Sequence, residues 1–354
     1  MSSSSSAPEG LWRLPLALVL GCLLLAWSAV IGIRGWLDAP LNLREAVVME
    51  IPEGGNLTRF VSSMHDRGVL MHPVVLRLQA RLDGVANRVR AGEYQLDPGL
   101  TARQLLAKLT SGEVVQYAIT VVEGTTTAAM LDILRAQPKL QKTLRPGASS
   151  SLIQELSLQA PVAGSPEGLF FPDTYHFHLG MSDRDLLLLA HRRMHEILEA
   201  EWAMRAPDLP YRNSYEALIM ASLIERETGR GEERPAIAGV FVRRLQAGML
   251  LQTDPSVIYG LGQEFDGNLT RAHLRRPGPY NTYINSGLPP TPIALPGRAA
   301  IHAALHPASG DALYFVARGD GSHQFSATLD AHNRAVRQFQ RGRRQRTADP
   351  VQEP

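Results

Sequence analysis

The first long feature in the pattern of apolar and polar positions is an uncharged run from Leu14 to Ile33, LPLALVLGCLLLAWSAVIGI. As a helix rising about 1.5 Å per residue it reaches roughly 30 Å, the thickness of a bilayer hydrocarbon core. Arg13 and Arg34 bracket it, and Trp12, Trp27 and Trp36 sit at or near its edges as interface anchors do. The run is longer than the apolar part of a cleaved signal sequence and no clean small-x-small site follows, so it predicts one membrane helix over 14–33. Beyond it the pattern changes to short alternating and periodic stretches. Residues 46–51 (AVVMEI) read as a strand, Pro52 to Gly55 as a turn, and Asn56 as the N-cap of a helix with Leu57, Phe60, Val61 and Met64 on one face. A helix over 73–82, a strand over Arg90–Leu96 and a Thr101-capped helix with Leu105, Leu106 and Leu109 inward follow.

The pattern then repeats weakly. Residues 117–122 (YAITVV) read as a strand, Glu123-Gly124 as a turn, and Thr125 to Thr127 precede the apolar run Met130 to Leu134, echoing residues 47–64. Residues 137–165 are rich in Pro, Gly and Ser and predict a loop or domain junction. Asp183 opens a long helix through Leu186, Leu189, Ala190, Met194, Ile197 and Leu198 to Trp202. From 213 a mixed α/β domain is expected. Within it, Arg318–His323 (RGDGSH) reads as a hairpin turn between LYFVA and HQFSA, since Asp-Gly is a favoured hairpin dipeptide. The charged tail 341–354 is expected to fray.

Composition narrows the function classes. Of 354 residues, 44% are hydrophobic and 20% charged, enough apolar material to exclude a wholly disordered chain. A net charge of +2 argues against a protein that lives on phosphate contacts, so no nucleic-acid partner is expected. The single cysteine, Cys22, lies in the apolar run, which excludes a disulfide framework and a cysteine-built metal site. His302 and His306 have helical ligand spacing, but no HExxH pattern accompanies them, and no metal is expected. Walker, GxGxxG and GxSxG motifs do not occur.

The candidate chemistry lies in Ser214–Thr228, SYEALIMASLIERET, with Ser214 as the expected cap. The segment is apolar nearly all round and so reads as a buried helix. Glu225 and Glu227 are two residues apart and point to opposite sides of it, so they cannot act together on one bond. A carboxylate at the end of a buried helix is either ion-paired, with Arg226, Arg234 or Arg243 as partners, or kept protonated by desolvation, as glycosidic bond cleavage requires. Spacing leaves both readings open. Downstream, Gln252, Thr253 and Asp254 interrupt an apolar stretch, and Tyr280–Gly297 (YNTYINSGLPPTPIALPG) is a stiff proline-rich loop displaying tyrosines and amides, groups that stack on and hydrogen-bond to sugars.

These segments together resemble the YceG-like endolytic murein transglycosylases. EGLFFPDTY (167–175), ASLIERET (221–228), VFVRRLQAGMLLQTDPSVIYG (240–260), the 280–297 loop, and ALHPA followed by LYFVARGDGSHQF are similar to the family's signature segments in order and spacing, over roughly residues 14–340. The resemblance implies an α+β protein of the bacterial inner membrane. Its parts would be a cytoplasmic tail (1–13), one transmembrane helix (14–33), a small LysM-like module (46–115), a connecting region with a long helix (116–212) and an extracytoplasmic catalytic domain (213–340). It implies a lyase that cuts the MurNAc-β-1,4-GlcNAc bond inside peptidoglycan strands to leave 1,6-anhydro ends, with no cofactor and with membrane-bound peptidoglycan synthases as partners. It assigns the acid to Glu225, makes Glu227 structural, and offers Gln252, Asp254, Tyr280, Asn281 and Tyr283 for substrate positioning. The chain departs from the family pattern at Arg243, where VFxNRL has Asn, and at Thr291, where GLPPG has Gly. A hydrolytic muramidase using Asp254 as second carboxylate and a non-catalytic peptidoglycan-binding scaffold are the competing readings.

Overall fold

The apolar run and the residues flanking it form one helix, α1 (Arg13–Leu37). The structure, a computed structural model, describes residues 13–52, 54–145, 151–158 and 164–346. The expected tail before residue 13, Glu53 of the first turn, parts of the 137–165 stretch and the final residues 347–354 lie outside the described residues. Leu18–Leu37 of α1 is long and apolar enough to cross a membrane, and its large side chains from Leu18 to Ile31 are exposed.

The chain forms two compact units, one reaching to Tyr117 and including His178–Gly180, the other comprising 118–177 and the residues from 181 on. In the first, β1 (Val47–Ile51), α2 (Leu57–Asp66), α3 (Pro73–Leu82), β2 (Gly92–Leu96) and α4 (Ala102–Ser111) follow in order. β1 and β2 pair antiparallel with Met49 opposite Tyr94 and Val47 opposite Leu96. The period-two alternation turns Met49, Ile51, Tyr94 and Leu96 inward, onto Leu57, Phe60, Val61 and Met64 of α2 and Leu105, Leu106 and Leu109 of α4. Each large side chain buried this way contributes about 1.5–3 kcal/mol. The local signals act as read. Asn56 accepts a hydrogen bond from the Arg59 amide, and Thr101 with Gln104 closes a reciprocal capping box.

The second unit begins within β3 (Tyr117–Thr120), at Ala118, and continues with α5 (Thr127–Ala136), α6 (Leu152–Leu156), β4 (Thr174–Phe177) and α7 (Asp183–Ala203). β3 pairs with β4, and α5 is capped by Thr126. On α7 it is Leu187, rather than the expected Leu189, that is fully buried. The centre is α8 (Ser214–Glu227), buried continuously from Ala217 to Ile224 and packed by α7, α9 (Arg234–Gln246), α10 (Asp254–Leu261) and α12 (Arg298–Leu305). The α8 cap is Asn213, whose side chain accepts the Glu216 amide at 3.0 Å, and not Ser214, whose hydroxyl donates to Glu199. Asn213 wins because its extended backbone aims the short amide at the first turn. After α11 (Arg271–Arg275), the 276–297 stretch has no regular structure, as its prolines predict. It is pinned to α8 by the buried hydroxyl of Ser222, which accepts the Ile293 amide at 3.0 Å. β5 (Tyr314–Ala317) and β6 (His323–Ser326) form the expected hairpin. α13 (Leu329–Arg346) continues past Arg341, where fraying was expected.

Candidate active site

The last turn of α8 delivers its two carboxylates to different places. Glu227 lies on the wall of a cleft of about 390 Å³ that is also lined by Arg244, Leu251, Gln252, Asp254, Tyr283, Phe315, Val316, Ala317, His323, His332 and Val336. Its Oε2 accepts a 2.7 Å hydrogen bond from the Thr253 hydroxyl. Burial pushes the Glu227 carboxyl up to about 7; the Thr253 bond opposes that rise, the Asp254 charge adds to it, and His323 and Arg244 oppose it more weakly. A carboxylic acid half-protonated near neutrality and open to a cleft can both give and take a proton.

The floor of this cleft is built by the segment between α9 and α10. Gln252 sits at φ +52°, a left-handed backbone that costs a non-glycine residue on the order of 1 kcal/mol. Its amide donates to the Thr282 carbonyl at 3.1 Å, and the Thr253 amide donates to the Thr282 hydroxyl at 3.0 Å. Gln252 is thereby clamped onto the 280–297 loop, with its side chain in the cleft. The buried guanidinium of Arg244 donates to the carbonyls of Leu250, Leu251 and Leu313 and to Gln252 Oε1. Asp254 receives the Tyr283 hydroxyl at 2.6 Å. His323 reaches the rim from β6, and its amide and Nδ1 both engage Glu233.

Glu225 has other surroundings. Its side chain is 5% exposed, with Oε1 on the Arg234 guanidinium at 2.8 Å and Oε2 on the Gly297 amide at 2.9 Å. Glu123 shares Arg234 at 3.5 Å, and burial together with the Glu225 charge raises the Glu123 carboxyl above its usual range. Gly297 allows this approach, since a Cβ there would fall 1.8 Å from Glu123 Oε1. Both oxygens of Glu225 are thus engaged, and it does not line the Glu227 cleft. The expectation that Glu225 faces an apolar pocket is not met: its environment is the ion pair foreseen as the alternative, with Arg234 as partner. Glu227, expected to be the structural, arginine-paired carboxylate, is the one desolvated beside polar cleft residues.

Three of the five positioning candidates, Gln252, Asp254 and Tyr283, come together with Glu227. Tyr280 does not. It lines a second cleft, of about 830 Å³, with Glu123, Glu167, Arg226 and Tyr259, and its hydroxyl meets Thr291. Asn281 is buried, and its side-chain amide donates to the carbonyls of Leu274 and Arg276 while its oxygen accepts the Tyr283 amide, so its polar groups are consumed in shaping the loop. Sequence reasoning did not single out Arg244, Thr253 or His323 as site residues. Glu167, which accepts from Thr127 and Tyr259 in the second cleft, was legible only as part of a signature segment. His302 and His306 stack at 4.3 Å, and His302 and Arg298 both engage buried Glu201, tying α7 to α12.

The sequence model of the YceG-like family matches residues 49–338. The chain belongs to the YceG-like family. An endolytic murein transglycosylase of Bacillus subtilis strain 168 is 30% identical over 311 residues, 84% of this chain and 85% of that protein. One from Streptococcus pneumoniae serotype 2 strain D39 is 27% identical over 327 residues, 83% of this chain; the match spans 58% of the pneumococcal protein. The crystal structure of a putative YceG-like protein from Listeria monocytogenes, 29% identical, superposes with a TM-score of 0.52 over 82% of this chain and 99% of its own. Within this YceG-like chain the two departures from the family pattern have local explanations. Arg243 donates to the carbonyls of Ala308 and Ala312, fixing the strand-entry loop to α9. Thr291 is buried and bridges the Tyr280 hydroxyl and the Pro292 carbonyl, which a glycine could not do.

Proposed function

We propose that this chain is an endolytic murein transglycosylase, a lyase that cleaves MurNAc-β-1,4-GlcNAc bonds within peptidoglycan strands, and that Glu227 is its acid and base. The observation that carries the assignment is a carboxyl raised to about 7 in a cleft shared with Gln252, Asp254 and Tyr283. Protonated Glu227 gives its proton to the glycosidic oxygen as the bond to the muramic acid anomeric carbon breaks. That carbon gains oxocarbenium character, the 6-hydroxyl of the same sugar attacks it, and the Glu227 carboxylate accepts the hydroxyl proton, leaving a 1,6-anhydro end. The nucleophile comes with the substrate, so one carboxyl serves where glycosidases use two. Asp254, oriented by Tyr283, and Gln252 position the sugar. Glu225 is structural, holding the 297 turn and Arg234 against the end of α8.

The same reading covers the rest of the chain. α1 anchors the protein in the bacterial plasma membrane with the body on the extracytoplasmic side. Residues 46–115 act as a LysM-like, glycan-binding module, which their strand–helix–helix–strand order supports, and residues 213–340 carry catalysis. Membrane-bound peptidoglycan synthases, which make the strands, are the natural partners.

The test is mass spectrometry of purified glycan strands digested with the full chain in detergent, beside Glu227→Gln and Glu225→Gln. Internal fragments with 1,6-anhydro ends, lost in Glu227→Gln and retained in folded Glu225→Gln, are expected. Reducing ends would instead indicate hydrolysis with Asp254 as the water-activating carboxylate. No cleavage by the unaltered chain would indicate a binding scaffold.

A further inference from the structure

The N-terminal unit carries an apolar stripe that its own core does not use. On α3, Leu76 and Ala80 face inward, yet Val74, Leu78 and Leu82 are 64%, 51% and 74% exposed, and Met71, two residues before the helix, is 70% exposed. At 100° per residue Val74, Leu78 and Leu82 fall within one sector on the opposite side of the helix, with Arg77 and Arg81 along its edge, and Met71 adds a fourth exposed apolar side chain just before it. Four large exposed apolar side chains in a row exceed the scattered single ones that need no explanation.

What covers them follows from how α1 ends. Leu37, the last residue of the apolar helix, is 2% exposed because it is already part of the core of this unit, and Leu41 is buried beside it. The residues after it are tied down at once. The Leu41 amide donates to the Leu100 carbonyl, Asn42 bonds both Val69 and Gly68, and Asp38 pairs with Arg103. No free linker separates the span from the module. The Trp36 ring packs edge-on against His72 at 5.5 Å, and His72 is the residue that opens α3, between Met71 and Pro73. The stripe therefore starts against the residue where the span leaves the bilayer.

We infer that α3 is a lipid-binding surface: it lies in the membrane interface with Met71, Val74, Leu78 and Leu82 among the upper acyl chains and Arg77 and Arg81 at anionic phospholipid headgroups. Short amphipathic helices with basic edges bind this region through buried apolar area and headgroup attraction together. The module is then held against the bilayer on one face. This inference rests on the reading of α1 as a membrane anchor.

The test uses the full chain carrying Cys22→Ala and one added cysteine, Leu78→Cys, Leu82→Cys or, as a control at the one exposed position of β2, Gln95→Cys, labelled with an environment-sensitive fluorophore. The proteins are reconstituted in vesicles of phosphatidylethanolamine and phosphatidylglycerol (about 7:3) with spin label near the top of the acyl chain. The expected result is at least about twofold stronger lipid quenching at 78 and 82 than at 95, reduced to the control level for position 78 when Val74→Glu and Leu82→Glu are added. Equal quenching at all three positions in protein that resists alkaline extraction would overturn the lipid surface alone. A label at 78 shielded from aqueous quencher yet untouched by spin-labelled lipid would overturn it in favour of a protein partner or second copy. Release of the chain by alkaline carbonate would overturn the anchor, and this inference with it.

Discussion

Glu225 and Glu227 leave the same helix two residues apart, and opposite surroundings receive them. Glu225 meets a guanidinium and a backbone N–H, groups that complete a carboxylate and hold it still. Glu227 meets one hydroxyl and a mostly desolvated wall, with another carboxylate nearby, and its proton is held to about pH 7. Residue type and helix are the same, so the difference in environment lies in what the rest of the fold brings to each side. An ion pair suits a joint, and an underpaired acid suits proton transfer, which is the division of roles proposed for the two residues.

Four experiments can break or sharpen this contrast. The largest effect belongs to Glu227→Gln, which removes the transferable proton. Turnover on glycan strands should fall by about 10²–10⁴-fold, while the melting temperature stays level or rises, because a buried charge is no longer required. Loss of activity together with loss of fold would make Glu227 a structural group after all. Next is Glu225→Gln, which leaves Arg234 with only the more distant Glu123. Denaturant titration should show a loss of about 2–4 kcal/mol, and activity per folded molecule should remain within severalfold. A fully stable but inactive Glu225→Gln would return the acid to Glu225.

The third experiment is a pH series. The folded carboxyl of Glu227 is raised from 4.5 to about 7, so the native state holds this proton more tightly than the unfolded chain does. The contribution of the group to stability is therefore greatest below about 4.5 and is lost as pH rises through 7, on the order of 3 kcal/mol in all. Glu227→Gln should remove that slope, and kcat/KM of the unaltered chain should fall above about pH 7 as the acid loses its proton. The smallest effect is expected for Gln252→Gly. Relief of the left-handed backbone should offset the added unfolded-state entropy, leaving stability within about 1 kcal/mol, while KM rises because the side chain is gone from the cleft.

The fold was legible wherever a local signal decides. Asn56 and Thr101 cap helices because a short polar side chain reaches the first-turn amides from an extended backbone. Asp320-Gly321 turns the hairpin because Gly319 and Gly321 take positive φ without a Cβ clash. Where two local candidates compete, sequence reading was less secure: Ser214 and Asn213 are adjacent, and backbone direction chose Asn213. The site was legible in part. Gln252, Asp254 and Tyr283 stand out as polar residues in apolar or stiff segments, and they do meet. Asn281 stands out for the same reason, but its amide is spent on its own loop.

By itself the sequence determined the elements of the first unit, the apolar α1, the continuous burial of α8 and the opposite directions of its two glutamates, because all of these follow from side-chain periodicity along one chain. The tertiary structure alone decided what surrounds each glutamate. Arg234 and Gly297 reach Glu225 from 9 and 72 residues away, and Thr253 reaches Glu227 from 26. A carboxyl's protonation is set by the charges and solvent within a few ångströms of it, and only the folded chain fixes which groups those are.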